Sequence, residues 1–184
     1  GEWTWQKMLQ IAQKCTKDTD NDGKTDQWGV MTGSSGGIHY FLASNGASAI
    51  KVANDEFQYS LNRPDAINAL QFYQDLVYKY KVFKPNEGHG GRGSDEFANG
   101  KLAFLAGSIS RLWSISERME DEFGLIPLPK GPDVNEYHTY YNQGRIYVIP
   151  ATNKHPEKAA FVLRELAKSY KNYGGWKNEY MAGV

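Results

Sequence analysis

Between Asp18 and Gln27 the chain reads Asp-Thr-Asp-Asn-Asp-Gly-Lys-Thr-Asp-Gln, with carboxylates at alternate positions and a glycine after the third. Hard, oxygen-seeking cations such as Ca2+ bind loops of this kind, because alternate side chains converge and the glycine permits a sharp turn. Asp18, Asp20 and Asp22 would each give an oxygen, Lys24 its backbone carbonyl, and Asp26 a direct or water-mediated contact. An EF-hand closes with a bidentate glutamate at the twelfth loop position. Here that position is Gly29, and Gln27 supplies the nearest remaining side-chain oxygen. The loop is therefore EF-hand-like but incomplete. A solvated acidic turn is the plainer reading; three alternating aspartates ahead of a glycine favour calcium. Such an ion would be a structural clip, not a catalyst.

Other chemistry finds little support. Gly88-His89-Gly90-Gly91-Arg92-Gly93 satisfies G-x-G-x-x-G, but no strand precedes it and Asp95-Glu96 would repel a phosphate, so it reads as a mobile loop. Ser34-Ser35-Gly36-Gly37 lacks the Lys-Ser/Thr ending of a P-loop. His39, His89, His138 and His155 form no metal-type pair. No serine sits in G-x-S-x-G, and the run Glu120-Asp121-Glu122 reads as a solvated helix end. Without a nucleophile and base, catalysis is not expected.

The aromatics are more telling, at 14% of residues. Trp5, Phe41, Phe72, Tyr73, Phe97, Phe104 and Phe161 fall within helical or strand patterns and read as core. Tyr137, Tyr140 and Tyr141, with Gln143 and Arg145 nearby, cluster in a polar segment, and Trp113 lies beside Arg111. Flat rings stack on sugar faces while amides and guanidinium groups bond hydroxyls, so these residues could line a cleft. A tyrosine-rich surface or core edge is the equal alternative.

The elements that must position them follow from periodicity. Thr4 caps a helix whose Trp5, Met8, Leu9, Ala12 and Cys15 share one face, making Cys15 a small core residue. Gly29–Met31 reads as a strand, and a second helix carries Ile38, Phe41 and Leu42. Ile50–Val52 and Phe57–Tyr59 flank Asn54-Asp55 as a hairpin. Pro64 opens the strongest helix, with Ala66, Ile67, Leu70, Tyr73, Leu76, Val77 and Tyr80 as its buried stripe. Ser94 caps a short helix; Lys101–Ala106 and Phe123–Leu128 are strands around a helix over Ser110–Glu120. Arg145–Ile149 is a further strand, and Pro156 starts a last amphipathic helix. Alternating strands and helices point to a layered α/β fold.

Composition sets the outer bounds. The 184 residues carry 21 Lys+Arg against 21 Asp+Glu, 40% hydrophobic and 23% charged, as in an ordinary globular protein. A neutral chain lacks the positive field that duplex DNA or an anionic membrane surface requires, so no nucleic-acid partner is expected. Its apolar runs are far shorter than a spanning helix. Cys15 has no second cysteine to pair with, and the first residues do not resemble a signal peptide.

Taken in order, several segments resemble the family 1 extracellular solute-binding proteins of bacterial ABC importers, the sugar-binding group. The Thr4-Trp5 helix with the acidic loop through Trp28-Gly29 is similar to the start of that family's second lobe. Leu42–Gly46 and the helix from Asn62-Arg63-Pro64 to Leu76 are similar to family helices. Phe97-Ala98-Asn99-Gly100-Lys101-Leu102-Ala103-Phe104 resembles "F-x-x-G-K-x-A-M", and Phe123–Gly131 resembles "f-g-x-x-P-l-P-k-G". Tyr147–Pro150 with His155–Ala159 resembles the family's crossover and helix.

The resemblance implies an α/β fold, one lobe of a type II periplasmic-binding-protein-like architecture with a central mixed sheet flanked by helices. Residues 1–145 would form the second lobe and 146–184 the hinge return strand and helix. It implies a monomeric receptor, periplasmic or a cell-surface lipoprotein, passing a carbohydrate to an ABC importer permease. Some relatives carry calcium where Asp18–Gln27 stands. The expected ligand contacts are Ser35, Gly36, His39 and Tyr40 on one segment, Ser108, Arg111 and Trp113 on another, and Tyr140, Tyr141 and Gln143 on a third. A carbohydrate-active enzyme domain and a calcium-dependent surface module are the alternatives, and a lone lobe should bind weakly.

Overall fold

Thr4 opens the first helix as expected: its hydroxyl accepts the Lys7 N–H at 3.3 Å, and α1 runs Trp5–Cys15. In this computed structural model the described residues are 1–32, 37–84, 92–140 and 148–167. They divide into two compact units, Gly1–Tyr141 and Asn142–Val184. Among the described residues no helix is long and apolar enough to cross a membrane.

In the first unit, α1 packs on β1 (Trp28–Thr32), followed by α2 (Ile38–Ser44) and the hairpin β2 (Ile50–Ala53) and β3 (Glu56–Tyr59). Asn54 and Asp55 both take left-handed φ angles at the hairpin tip, which suits a two-residue turn matched to strand twist. Next come α3 (Pro64–Gln74), α4 (Arg92–Ala98), β4 (Leu102–Ala106) and α5 (Arg111–Ser116); α6 (Pro156–Ala167) lies in the second unit. β4 runs parallel to β1 with Val30 opposite Phe104, and Phe83 adds a parallel bridge on the other side of Val30. The α/β reading holds, with the described strands forming two small sheets, β1–β4 and β2–β3.

The core forms where α1 and α3 meet α2. Trp5 is buried, stacked on Phe72 with centroids 4.5 Å apart and meeting Phe41 edge-on, and its Nε1 donates to Ser44 Oγ at 2.9 Å. That bond lets a large apolar ring be buried without orphaning its N–H.

Several expectations are corrected. The buried stripe of α3 runs through Ala66, Ala69 and Leu76, while Ile67 and Leu70 are exposed. Both lie upstream of the π-helical turn over Asp75–Lys79; the small Ala66 and Ala69, each 0% exposed, take the packed face one residue round from them. Phe123–Leu128 forms no strand, since Pro127 and Pro129 remove N–H donors at alternate positions. Ser94 lies inside α4, buried, and not at its start. The Ser110–Glu120 helix shortens to α5. Phe161 is exposed, its ring covered on one side by the Arg164 guanidinium, not core. Val148 and Ile149 lie in no strand, whereas residues 145–147 and 85–91 fall outside the described set.

Candidate functional site

Three parallel stretches end on one edge: β1 at Thr32, the Phe83 bridge at Lys84, and β4 at Ala106. In open α/β sheets the connections leaving such carboxyl ends form the binding crevice, because strands and crossovers diverge there. Helix α2 rises from this edge and presents His39 and Tyr40 near its start. The segment after Gly131 brings Tyr140 back against them. Tyr140 stacks on His39 with centroids 5.3 Å apart and planes 8° apart, and meets Tyr40 edge-on at 5.4 Å and 72°.

Tyr40 and Tyr140 line an open cavity of about 620 Å3, together with Ala106 and Gly107. Trp3 and Phe104 also line it, their rings 5.3 Å apart. Trp3 is fixed by its Nε1, which donates to the Pro127 carbonyl at 2.9 Å. Glu122 is the one carboxylate among the described residues that line it. Largely apolar walls with a few convergent polar groups suit a neutral ligand with flat faces better than a charged one.

The expected contacts therefore separate. His39, Tyr40 and Tyr140 come together. Ser108, Arg111 and Trp113 do not line the cavity: Ser108 pairs with Ser110 at 3.0 Å, and an Arg111 nitrogen donates to buried Ser94 Oγ at 3.2 Å. Trp113 is 60% exposed on α5. Ser35, Gly36, Tyr141 and Gln143 fall outside the described residues. Sequence reasoning missed Trp3, which precedes the first helix and belongs to no periodic face; its only signal was a tryptophan outside any pattern.

The acidic loop is held by its own backbone. Lys17 and Gln27 form an antiparallel bridge at its neck. Asp18 accepts the N–H groups of Asn21 at 2.7 Å and Gly23 at 2.8 Å, and Gly23 takes a left-handed φ of 86° that favours glycine. One oxygen from each of Asp18, Asp20 and Asp22 lies within 4.8 Å of the others. Asp26 is turned to Thr19, whose N–H and O–H both donate to Oδ2 at 2.7 Å and hold the carboxyl below the usual aspartate range. Lys24 pairs its ammonium with Asp22 at 3.3 Å, and Gln27 is engaged through its backbone in the neck. The trio could hold one hard cation; Asp26 braces the loop.

A sequence profile of the bacterial extracellular solute-binding proteins matches residues 2–173. Among solved structures, the maltose/maltodextrin-binding domain MalE of Bdellovibrio bacteriovorus, bound to maltotriose, is 22% identical. It aligns over 75% of this chain and 36% of its own, with a TM-score of 0.60. Maltose-bound MalE3 of T. maritima is 23% identical over 72% of this chain and 34% of its own, at 0.52. UgpB of Mycobacterium tuberculosis, in complex with glycerophosphocholine, is 22% identical over 72% and 32%, at 0.53. At these identities the likeness establishes the fold. The chain thus spans about a third of the length of these structures.

Proposed function

The chain belongs to the bacterial extracellular solute-binding proteins, and from that premise we propose that it contributes one face of a carbohydrate site, through Tyr40, Tyr140 and the cavity they border. The observation that carries the reading is the packing of His39, Tyr40 and Tyr140 at the carboxyl edge of the parallel strands. Aromatic faces pack on the C–H faces of sugar rings, and the surrounding polar groups bond hydroxyls. Two of the solved relatives hold maltose or maltotriose, in keeping with a neutral sugar. A glycosidase would need two carboxyl groups flanking one cleft, and among the described residues lining the cavity Glu122 is the one carboxylate.

In the whole protein, closure of a second lobe over this face would shift the population toward a closed state that an ABC importer permease recognises. The receptor works as a monomer and performs no catalytic step. Titration with maltotriose, followed by the tyrosine and histidine resonances, tests the sugar class; a response to glycerophosphocholine alone would replace it.

The loop over Asp18–Gln27 takes a Ca2+ ion as a structural clip. Support comes from the three converging carboxylates and the left-handed turn at Gly23. Calcium supplies oxygen-to-cation bonds that draw like-charged carboxylates together, and Asp18, Asp20 and Asp22 would hold it.

A further inference from the structure

Asn45, at the carboxyl end of α2, is 1% exposed and fully engaged. Its Nδ2 donates to the Asp65 carbonyl at 2.7 Å and to Asp133 Oδ2 at 2.6 Å, while its Oδ1 accepts the Asp133 N–H at 3.0 Å. Asn68 donates to the same Asp133 oxygen at 2.9 Å. The neighbouring Gly131 N–H donates to the Ser44 carbonyl at 3.0 Å. A Cβ on Gly131 would stand 2.1 Å from Asn45 Oδ1, so only glycine lets the backbone come this close.

We infer that the Asn45–Asp133 clasp is a positioning device for Tyr140, tying the incoming loop to one end of α2 so that the ring lands on His39 and Tyr40 at the other. The device rests on the sugar reading only for its purpose; its geometry stands apart. A buried amide bonded through both its oxygen and its nitrogen fixes orientation as well as distance. Its partner Asp133 is itself exposed and would otherwise prefer water. The loop has a second tether, where Tyr137 Oη accepts the Trp3 N–H at 3.2 Å. The clasp sets where the loop starts, and the Tyr137 contact lies midway.

The test reads the ring-current displacement of the His39 imidazole protons, which exists only while Tyr140 lies over them. Asn45→Asp sets a carboxylate against Asp133 and should abolish that displacement, with the Trp28 indole resonance unchanged as evidence of folding. Adding Asp133→Asn removes the like-charge pair but leaves the Asp65 carbonyl without its donor, so it should recover part of the displacement. Tyr137→Phe should leave it in place. Retention of the displacement in Asn45→Asp, no recovery in the double variant, or loss in Tyr137→Phe alone would each overturn the inference. If Asn45→Asp loses the displacement while the unaltered chain ignores maltotriose, the positioning role stands and the sugar reading falls.

Discussion

His39 and Tyr140 lie face to face, 101 positions apart in sequence, with ring planes only 8° from parallel. Tyr40 meets the same tyrosine edge-on, so Tyr140 is held from two directions by consecutive residues of α2. Such pairs contribute about 0.5–1.5 kcal/mol each beyond the area they bury. Tyr140 is only half-buried, which leaves part of its surface for a ligand.

Trp5 should be the costliest aromatic to remove. It stacks on Phe72, meets Phe41 edge-on and bonds Ser44. Trp5→Ala is expected to cost about 3–5 kcal/mol in urea unfolding, as for other large-to-small core changes. Trp5→Phe keeps most of the packing and should cost about 1–2 kcal/mol less than that. Equal losses would show that the Ser44 hydrogen bond dominates.

A pH effect should appear at Glu2. Lys130 Nζ donates to its Oε1 at 2.8 Å, and this bond, with the lysine charge, holds the Glu2 carboxyl below its ordinary value. A carboxyl whose folded pKa is depressed adds stability above its unfolded pKa, near 4.3, and loses it as pH falls through the lower folded value. Acid unfolding of Glu2→Gln should therefore lack one small step below about pH 4 that the unaltered chain shows. Superimposable acid curves would contradict this.

Calcium should raise the melting temperature and chelation should reverse the rise. A ligand at a hundred times its Kd stabilises by about 2.7 kcal/mol. Asp20→Ala should abolish the response. Asp26→Ala should only weaken it, because Asp26 braces Thr19 and stands apart from the trio. Loss of the response in Asp26→Ala alone would mean that Asp26 is the principal ligand.

Sequence periodicity was enough to find α1, because Trp5, Met8, Leu9 and Ala12 repeat on one face and all are buried. The hairpin was equally legible, since Asn54 and Asp55 tolerate the left-handed angles its tip adopts. Periodicity failed at α3, where small Ala66 and Ala69 take the packed face from larger Ile67 and Leu70, and at Phe123–Leu128, where apolar residues suggest a strand that two prolines deny. In the site, the helical pair His39-Tyr40 was visible from the sequence. That Tyr140 would return to it depended on the clasp at Asn45 and Asp133, and pairing across 88 positions leaves no periodic trace.

Contact between this aromatic face and a neutral sugar is read by titrating the histidine- and tyrosine-labelled chain with maltotriose and following each ring by NMR. The expected result is a weak, saturable shift at His39, Tyr40 and Tyr140 that disappears in Tyr140→Leu. Saturable shifts elsewhere that survive Tyr140→Leu, or none at any maltotriose concentration, would contradict it.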